Sequence, residues 1–215
     1  MRINEISNLI DNANVCVDVG SDHAYLSIEL IKNQKTKVVY NLEKNLGPFN
    51  NSVKNTKDYP DKIFNILSDG FKFFNENIEI DYCIISGMGG NTITSILNGI
   101  KNKINALVLC PNNNSYLIRK WAKQNRWKIY LEKTIIDNGI YYEIICLSKN
   151  KGIKIFLKNQ LFFGSRKLKK DDCLYIDKLK NELEKSNYLI LKQKNKSKYR
   201  MYKKIKKYIN KYDNC

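Results

Sequence analysis

Residues 15–25 read Val-Cys-Val-Asp-Val-Gly-Ser-Asp-His-Ala-Tyr, and no other segment constrains the fold as strongly. A short, β-branched apolar run ends in an acid, turns at a glycine and passes into helix-forming residues. A buried parallel strand delivers a ligand-binding loop at its carboxyl end in this way. Asp18 closes the strand, and Gly20 lets the backbone turn sharply and a ligand come close. Asp22 and His23 follow where the loop enters the helix, and His23 is the only histidine in the chain.

The same unit then repeats. Apolar runs at 37–43, 63–67, 82–85 and 106–110 read as further strands. Helical stretches are expected at 23–32, 46–57, 91–98 and 114–125, with Pro48 tolerated in a first turn and an Asn/Thr cap opening 91–98. Strands at 127–131 and 141–147 are joined through Asp137-Asn138-Gly139, a hairpin signal. Strand and helix in alternation predict an α/β fold, a parallel sheet wrapped by helices on both faces, with an antiparallel pair at one edge.

Charge divides the chain. Residues 1–150 carry 18 basic and 15 acidic side chains, whereas 151–215 carry 20 and 6, out of a total net charge of +17. Compositional bias would have charged both parts alike, so a polyanion, above all nucleic acid, is the expected partner of the tail. The texture also changes after Lys151-Gly152, which predicts domains at 1–152 and 153–215. Leu174, Ile176, Leu179, Leu183, Leu189 and Leu191, then Tyr199, Met201, Tyr202, Ile205, Tyr208 and Ile209, recur mostly at intervals of three and four. They predict two basic helices joined by a turn around Asn195-Lys196-Ser197-Lys198. No run of about 18 apolar residues is present, so no membrane partner is expected. The first residues include Glu5 and do not read as a signal peptide. Cys16, Cys83, Cys110 and Cys146 lie in apolar runs and no Cys-x-x-Cys occurs, so no metal is expected and a cytoplasmic, reducing setting is.

In an open α/β sheet the loops after the strands converge. A nicotinamide dinucleotide needs a glycine-rich turn to cradle its pyrophosphate, and here one glycine is followed by Ser21-Asp22-His23, whose carboxylate repels phosphate. S-adenosylmethionine carries a sulfonium and an ammonium, so acids favour it. Glu43, at the end of the second strand, can accept from a ribose diol, and Asp69 is placed for the adenine amino group. Each motif also has a plain structural reading: Asp18 as a helix cap, Asp69-Gly70 as an ordinary turn, Gly87-Met88-Gly89-Gly90 as a tight strand-to-helix connection. Their coincidence at adjacent strand ends favours a site.

Together these residues resemble the bacterial tRNA adenine-N1 methyltransferase family TrmK, which acts on adenosine 22 of tRNA. Asp18-Val19-Gly20-Ser21-Asp22-His23-Ala24-Tyr25-Leu26, Glu43 with Gly47-Pro48, Asp69-Gly70-Phe71, Gly87-Met88-Gly89-Gly90 and Pro111-Asn112 carry the resemblance. Arg2-Ile3, Arg119-Lys120-Trp121, Glu132, Tyr142-Glu143-Ile144-Ile145 and Phe163-Gly164 extend it. Cys110 departs from it, standing where glutamine is usual, and Ser27 stands where proline is common, at a cost of local rigidity alone.

The resemblance implies a Rossmann-like class I methyltransferase sheet with a C-terminal, coiled-coil-like helical hairpin, S-adenosylmethionine as cofactor and tRNA as substrate. Asp18, Gly20, Ser21, His23, Glu43, Asp69, Gly70, Gly87 and Met88 are then expected at the cofactor, with His23 a support rather than a catalyst. Asp22 is the expected catalytic residue, orienting adenine through its exocyclic amine. Gly89, Gly90 and Asn112 are expected to line the base pocket, and Arg2 and Arg119 to contact phosphate. The chain is expected to be a monomer. A methyltransferase for another RNA site, or a non-catalytic RNA-binding protein on the same fold, would share much of this pattern.

Overall fold

A computed structural model describes residues 1–169, 172–193 and 196–212. The chain divides into two units, 1–168 and 169–215.

The first unit is built on one seven-stranded sheet in the order β3-β2-β1-β4-β5-β7-β6. Five strands are parallel: β1 (Ala13–Val19), β2 (Thr36–Glu43), β3 (Ile63–Leu67), β4 (Ile80–Ser86) and β5 (Ile104–Cys110). Their near-continuous apolar sequences suit strands covered on both faces. Val17 and Val19 pack on one side with Ile93 and Leu97 of α4 (Gly90–Asn98) and Ile118 and Trp121 of α5 (Ser115–Gln124). Cys16 packs on the other with Ile6 of α1 (Arg2–Ser7) and Leu26 and Leu30 of α2 (Tyr25–Lys32). The remaining helix of this half, α3 (Leu46–Asn55), follows β2.

The chain runs outward from β1 to β3 and then returns to lay β4 on the other side of β1. That reversal opens a crevice at the carboxyl ends of β1 and β4, where α/β sheets bind ligands. At the far edge, β6 (Lys128–Asp137) and β7 (Ile140–Ser148) form the expected hairpin, with β7 antiparallel to β5. Asn138 and Gly139 both have positive φ, 49° and 75°, which matches the right-handed twist of two-residue hairpins.

Three features differ from the sequence expectation. The short helices α1 and α6 (Lys158–Phe163) were not anticipated, because one or two turns show no repeated apolar period. The β6–β7 hairpin is longer than 127–131 and 141–147, since Thr134, Ile135 and Ile136 continue the ladder to the turn. The first unit also extends beyond Gly152. Ile153 pairs with Ile129, and the backbone N–H of Phe156 and of Leu157 donate to Gln160 Oε1, so the charge boundary precedes the structural one.

In the second unit, α7 (Cys173–Gln193) and α8 (Lys196–Tyr212) form a hairpin. Tyr175, near the start of α7, meets Tyr208, near the end of α8, edge to face at 6.1 Å. Ile176, Leu179, Ile205 and Ile209 are buried, while Arg200, Lys203, Lys206 and Lys207 are exposed. The expected turn lies partly outside the described residues, and its described part, from Lys196, is already helical. Among the described residues no helix is long and apolar enough to cross a membrane.

Candidate active site

Gly20 has φ +77° and donates its N–H to Leu42 O at 2.8 Å, extending the β1–β2 pairing by one residue past the strand. A Cβ there would collide with the terminal methyl of Met88, which lies over the turn. On either side of this contact lie two cavities that share Gly20, Glu43 and Met88. One, of about 570 Å3, is walled by Glu43, Lys44, Asn45, Asp69, Gly70 and the first turns of α4. The other, of about 620 Å3, is walled by Arg2, Asp18, the 20–23 turn, Tyr25, Pro48, Gly87 and Met88.

Two buried carboxylates lie here, Glu43 in the shared wall and Asp18 beside it in the second cavity. Asp18 is 4% exposed, and burial, with the charge of Glu43 second, pushes its carboxyl up to about 7. Glu43 is 7% exposed and is held by main-chain donors. Its Oε1 accepts from Lys44 N at 3.0 Å and Asn45 N at 3.3 Å, and its Oε2 from Asp22 N at 3.3 Å. Neither forms an ion pair among the described residues. Across the first cavity, Lys44 Nζ pairs with Asp69 at 3.0 Å, while Ser68 Oγ donates to Gly70 O and accepts from Phe73 N, fixing the 68–70 turn.

The 20–25 turn contains two left-handed non-glycine residues, Asp22 at φ +53° and Ala24 at φ +58°. Non-glycine residues in this region store strain and cluster at functional sites. Asp22 and His23 face the second cavity, with His23 Nε2 3.8 Å from Asp22 Oδ2 and its ring stacked on Tyr25 at 5.3 Å. Arg2, on α1, lies over the ring of Tyr142 at 4.8 Å and closes the opposite wall.

The structure thus brings Arg2, Asp18, Gly20, Ser21, Asp22, His23, Glu43, Asp69, Gly70, Gly87 and Met88 to one crevice. Gly89, Gly90 and Asn112 stand outside its lining and fasten two loops together. Asn112 donates from its side chain to Gly87 O at 2.6 Å and from its backbone to Met88 O at 2.8 Å. Gly90 N donates to Asn113 O at 3.1 Å, and a Cβ on Gly90 would lie 2.5 Å from Asn114 O. These two glycines permit close approach between loops.

Arg119 corrects the phosphate expectation. It is fully buried, its Nε 2.6 Å from Glu132 Oε1, with Glu143 on its other flank and Phe162 O accepting at 3.2 Å. Glu132 Oε2 also accepts from Ser165 N at 2.7 Å. The guanidinium ties α5, β6, β7 and the 162–165 segment together and has no face for a polyanion. Cys110 is likewise buried in the core, its thiol pushed up to about 11 by burial, so it is an inert packing residue.

Lys44, Asn45, Tyr25 and the polar side of α4, with Asn91, Thr92 and Ser95, were not anticipated. Polar residues at 91, 92 and 95 share one side of a helix whose other side holds Ile93 and Leu97, and that pattern was a readable signal.

A sequence model of the family described as tRNA (adenine(22)-N(1))-methyltransferase, TrmK, matches residues 16–214. The fold is similar to that of M. capricolum TrmK, solved in complex with S-adenosyl-homocysteine, with 35% identity, a TM-score of 0.90 and coverage of 99% of this chain and 98% of that one. A Streptococcus pneumoniae protein solved with S-adenosyl-L-methionine shares 27% identity at a TM-score of 0.83, over 95% and 97% of the two chains. The Bacillus subtilis tRNA (adenine(22)-N(1))-methyltransferase is 30% identical over 149 residues, 67% of this chain and 62% of that protein.

Proposed function

The chain belongs to the tRNA (adenine(22)-N(1))-methyltransferase family TrmK, and from that premise we propose that it transfers a methyl group from S-adenosylmethionine to N1 of adenosine 22 in tRNA. One observation carries the reading: two cavities meet at a wall made of Gly20, Glu43 and Met88, with two buried carboxylates and no phosphate cradle.

The donor set fits the cofactor. Glu43 and Asp69, in the first cavity, suit a ribose diol and an adenine amino group. Asp18, beside the shared wall, favours a cation, and the turn at Gly20 leaves room for close approach. When bound, S-adenosylmethionine supplies a methyl group on a cationic sulfur, which the lone pair of adenine N1 attacks directly and in line.

The protein's part is placement and exclusion of water. Adenine N1 lies on the Watson–Crick edge, so the base enters the second cavity unpaired. Asp22, at its wall, accepts from the exocyclic amine and stabilises the positive charge that methylation leaves on the ring. Gly87 and Met88 shape the cavity where the two ligands meet. The exposed basic side of α8 contacts the tRNA backbone and supplies affinity without base identity. With tRNA as substrate, the reading takes the cytoplasm as compartment and a monomer as the working unit.

Incubating the chain with tRNA and S-adenosylmethionine, then digesting the RNA for mass spectrometry, tests the reading. A fragment containing adenosine 22 should gain one methyl group, retained at N1 on nucleoside analysis. Methylation elsewhere, or none with intact binding of both ligands, would overturn it.

A further inference from the structure

Five polar residues are linked by hydrogen bonds into a run that begins on α2, just past the 20–25 turn, and ends on that turn. Ser27 Oγ, on α2, donates to Asn41 Oδ1 on β2 at 2.5 Å. Asn41 Nδ2 donates to Asn65 Oδ1 on β3 at 2.9 Å, and Asn65 Nδ2 to Thr56 Oγ1 at 2.8 Å. Thr56 Oγ1 donates to Ser52 O at 2.8 Å, and Ser52 Oγ, on α3, donates to Asp22 O at 2.6 Å. Ser21 Oγ lies 3.3 Å from Ser52 Oγ, and Asn55 Nδ2, one turn further along α3, donates to His23 O at 3.0 Å.

Ser27, Asn41, Ser52 and Thr56 are each at most 3% exposed. Apolar groups of similar size would fill these places without needing partners, and a buried polar network is tolerable only when its members are satisfied. Asn41 in particular breaks the apolar run of β2. The run ends on the carbonyl of Asp22, and Asn55 separately holds that of His23, both in the turn that carries the strained residues Asp22 and Ala24. Strain of this kind persists only where the surroundings over-determine it. Ser27 therefore does more than relax a rigid position: its hydroxyl anchors the start of α2 to β2.

We propose that Ser52 and Asn55, backed by the Ser27-Asn41-Asn65-Thr56 chain, are positioning residues that hold Asp22 and His23 against the second cavity during methyl transfer. The proposal rests on the reading of Asp22 as the residue that orients the base. Glu43 joins the device, since the carboxylate placed for the cofactor ribose also accepts from Asp22 N. Occupancy of the cofactor cavity is thereby felt at the turn that faces the base.

The test uses Ser52→Ala and Asn55→Ala in the full chain, with kinetics on tRNA and amide hydrogen exchange. Turnover should fall by about tenfold or more, as a misplaced reactive group costs, while KM for S-adenosylmethionine changes by less than about threefold. Exchange should quicken at residues 20–25 and stay unchanged in β1 and β4. Ser52→Ala added to Asp22→Ala should cause no further loss, because a positioning residue acts through the group it positions. Unchanged exchange in the turn, unchanged turnover, or an equal loss in both backgrounds would overturn the proposal. Full turnover in Asp22→Ala would instead overturn the role of Asp22, leaving the exchange result to report on the clamp itself. If Ser52→Ala does not fold, Asn55→Ala at its half-buried position carries the same measurements.

Discussion

The first unit buries two pairs of carboxylates, and they are treated in opposite ways. Glu132 and Glu143 have Arg119 between them, with Ser165 N and Phe162 O completing the set. Asp18 and Glu43 have no cation among the described residues; Glu43 rests on main-chain N–H groups and Asp18 is pushed toward its neutral form. A cluster already neutralised inside the fold holds strands together. A carboxylate pair that no side-chain cation of the described residues neutralises suits a cationic ligand such as a sulfonium or ammonium.

Removing the cation from the first pair should make it worse than the second. Arg119→Met is expected to lower stability by about 3–5 kcal/mol, since two buried carboxylates would lose the guanidinium between them. Urea unfolding measures this, and a loss under about 1 kcal/mol would break the comparison.

The second pair should reveal itself by pH. The folded value for Asp18 lies above its ordinary 3.8, at about 7, so the folded state keeps a proton that the unfolded chain releases. Stability is then expected to fall as pH rises from 3.8 to about 7, and the cost persists above that window. The slope attributable to this one group approaches about 1.4 kcal/mol per pH unit. Asp18→Asn should remove that component when cofactor-free protein is unfolded across the window. Curves for the two proteins that stay parallel would show that Asp18 carries no buried charge penalty.

Exposed charge gives the smallest effect on the fold and completes the contrast. Changing Lys203, Lys206 and Lys207 to Gln should leave stability within about 0.5 kcal/mol, as surface substitutions do. Affinity for tRNA should drop, and its dependence on salt should weaken by somewhat under one unit of slope for each phosphate no longer neutralised. An unchanged salt slope would remove α8 from the tRNA interface.

The sheet, its strand ends and the acids upon them were readable because each depends on a local run: apolar strand, acid, glycine. Arg119 was not, since its burial is decided by Glu132 and Glu143, which reach it from strands later in the chain. Its neighbours Ile118 and Ala122 are core residues, so its place on the buried side of α5 was the available clue. Gly89 and Gly90 read in the sequence as room for a ligand, and the fold also brings the loop after β5 close to them, a contact no local pattern announces. The polar network behind Asp22 is not legible in the sequence, because Ser27, Asn41, Ser52, Thr56 and Asn65 look ordinary singly and gain meaning only through their pairing.

The strand order also sets a timetable. β7 lies between β5 and β6, so the strand made last takes an interior place. While the chain is being synthesised, Leu107 and Leu109 of β5 wait for Leu147 and Ile145, and β6 waits with them. Until those residues leave the ribosome, the nascent sheet presents an open apolar edge of the kind that recruits wrong partners. Conditions that slow elongation between 110 and 148 should therefore cost more soluble product than the same delay placed within the helical tail.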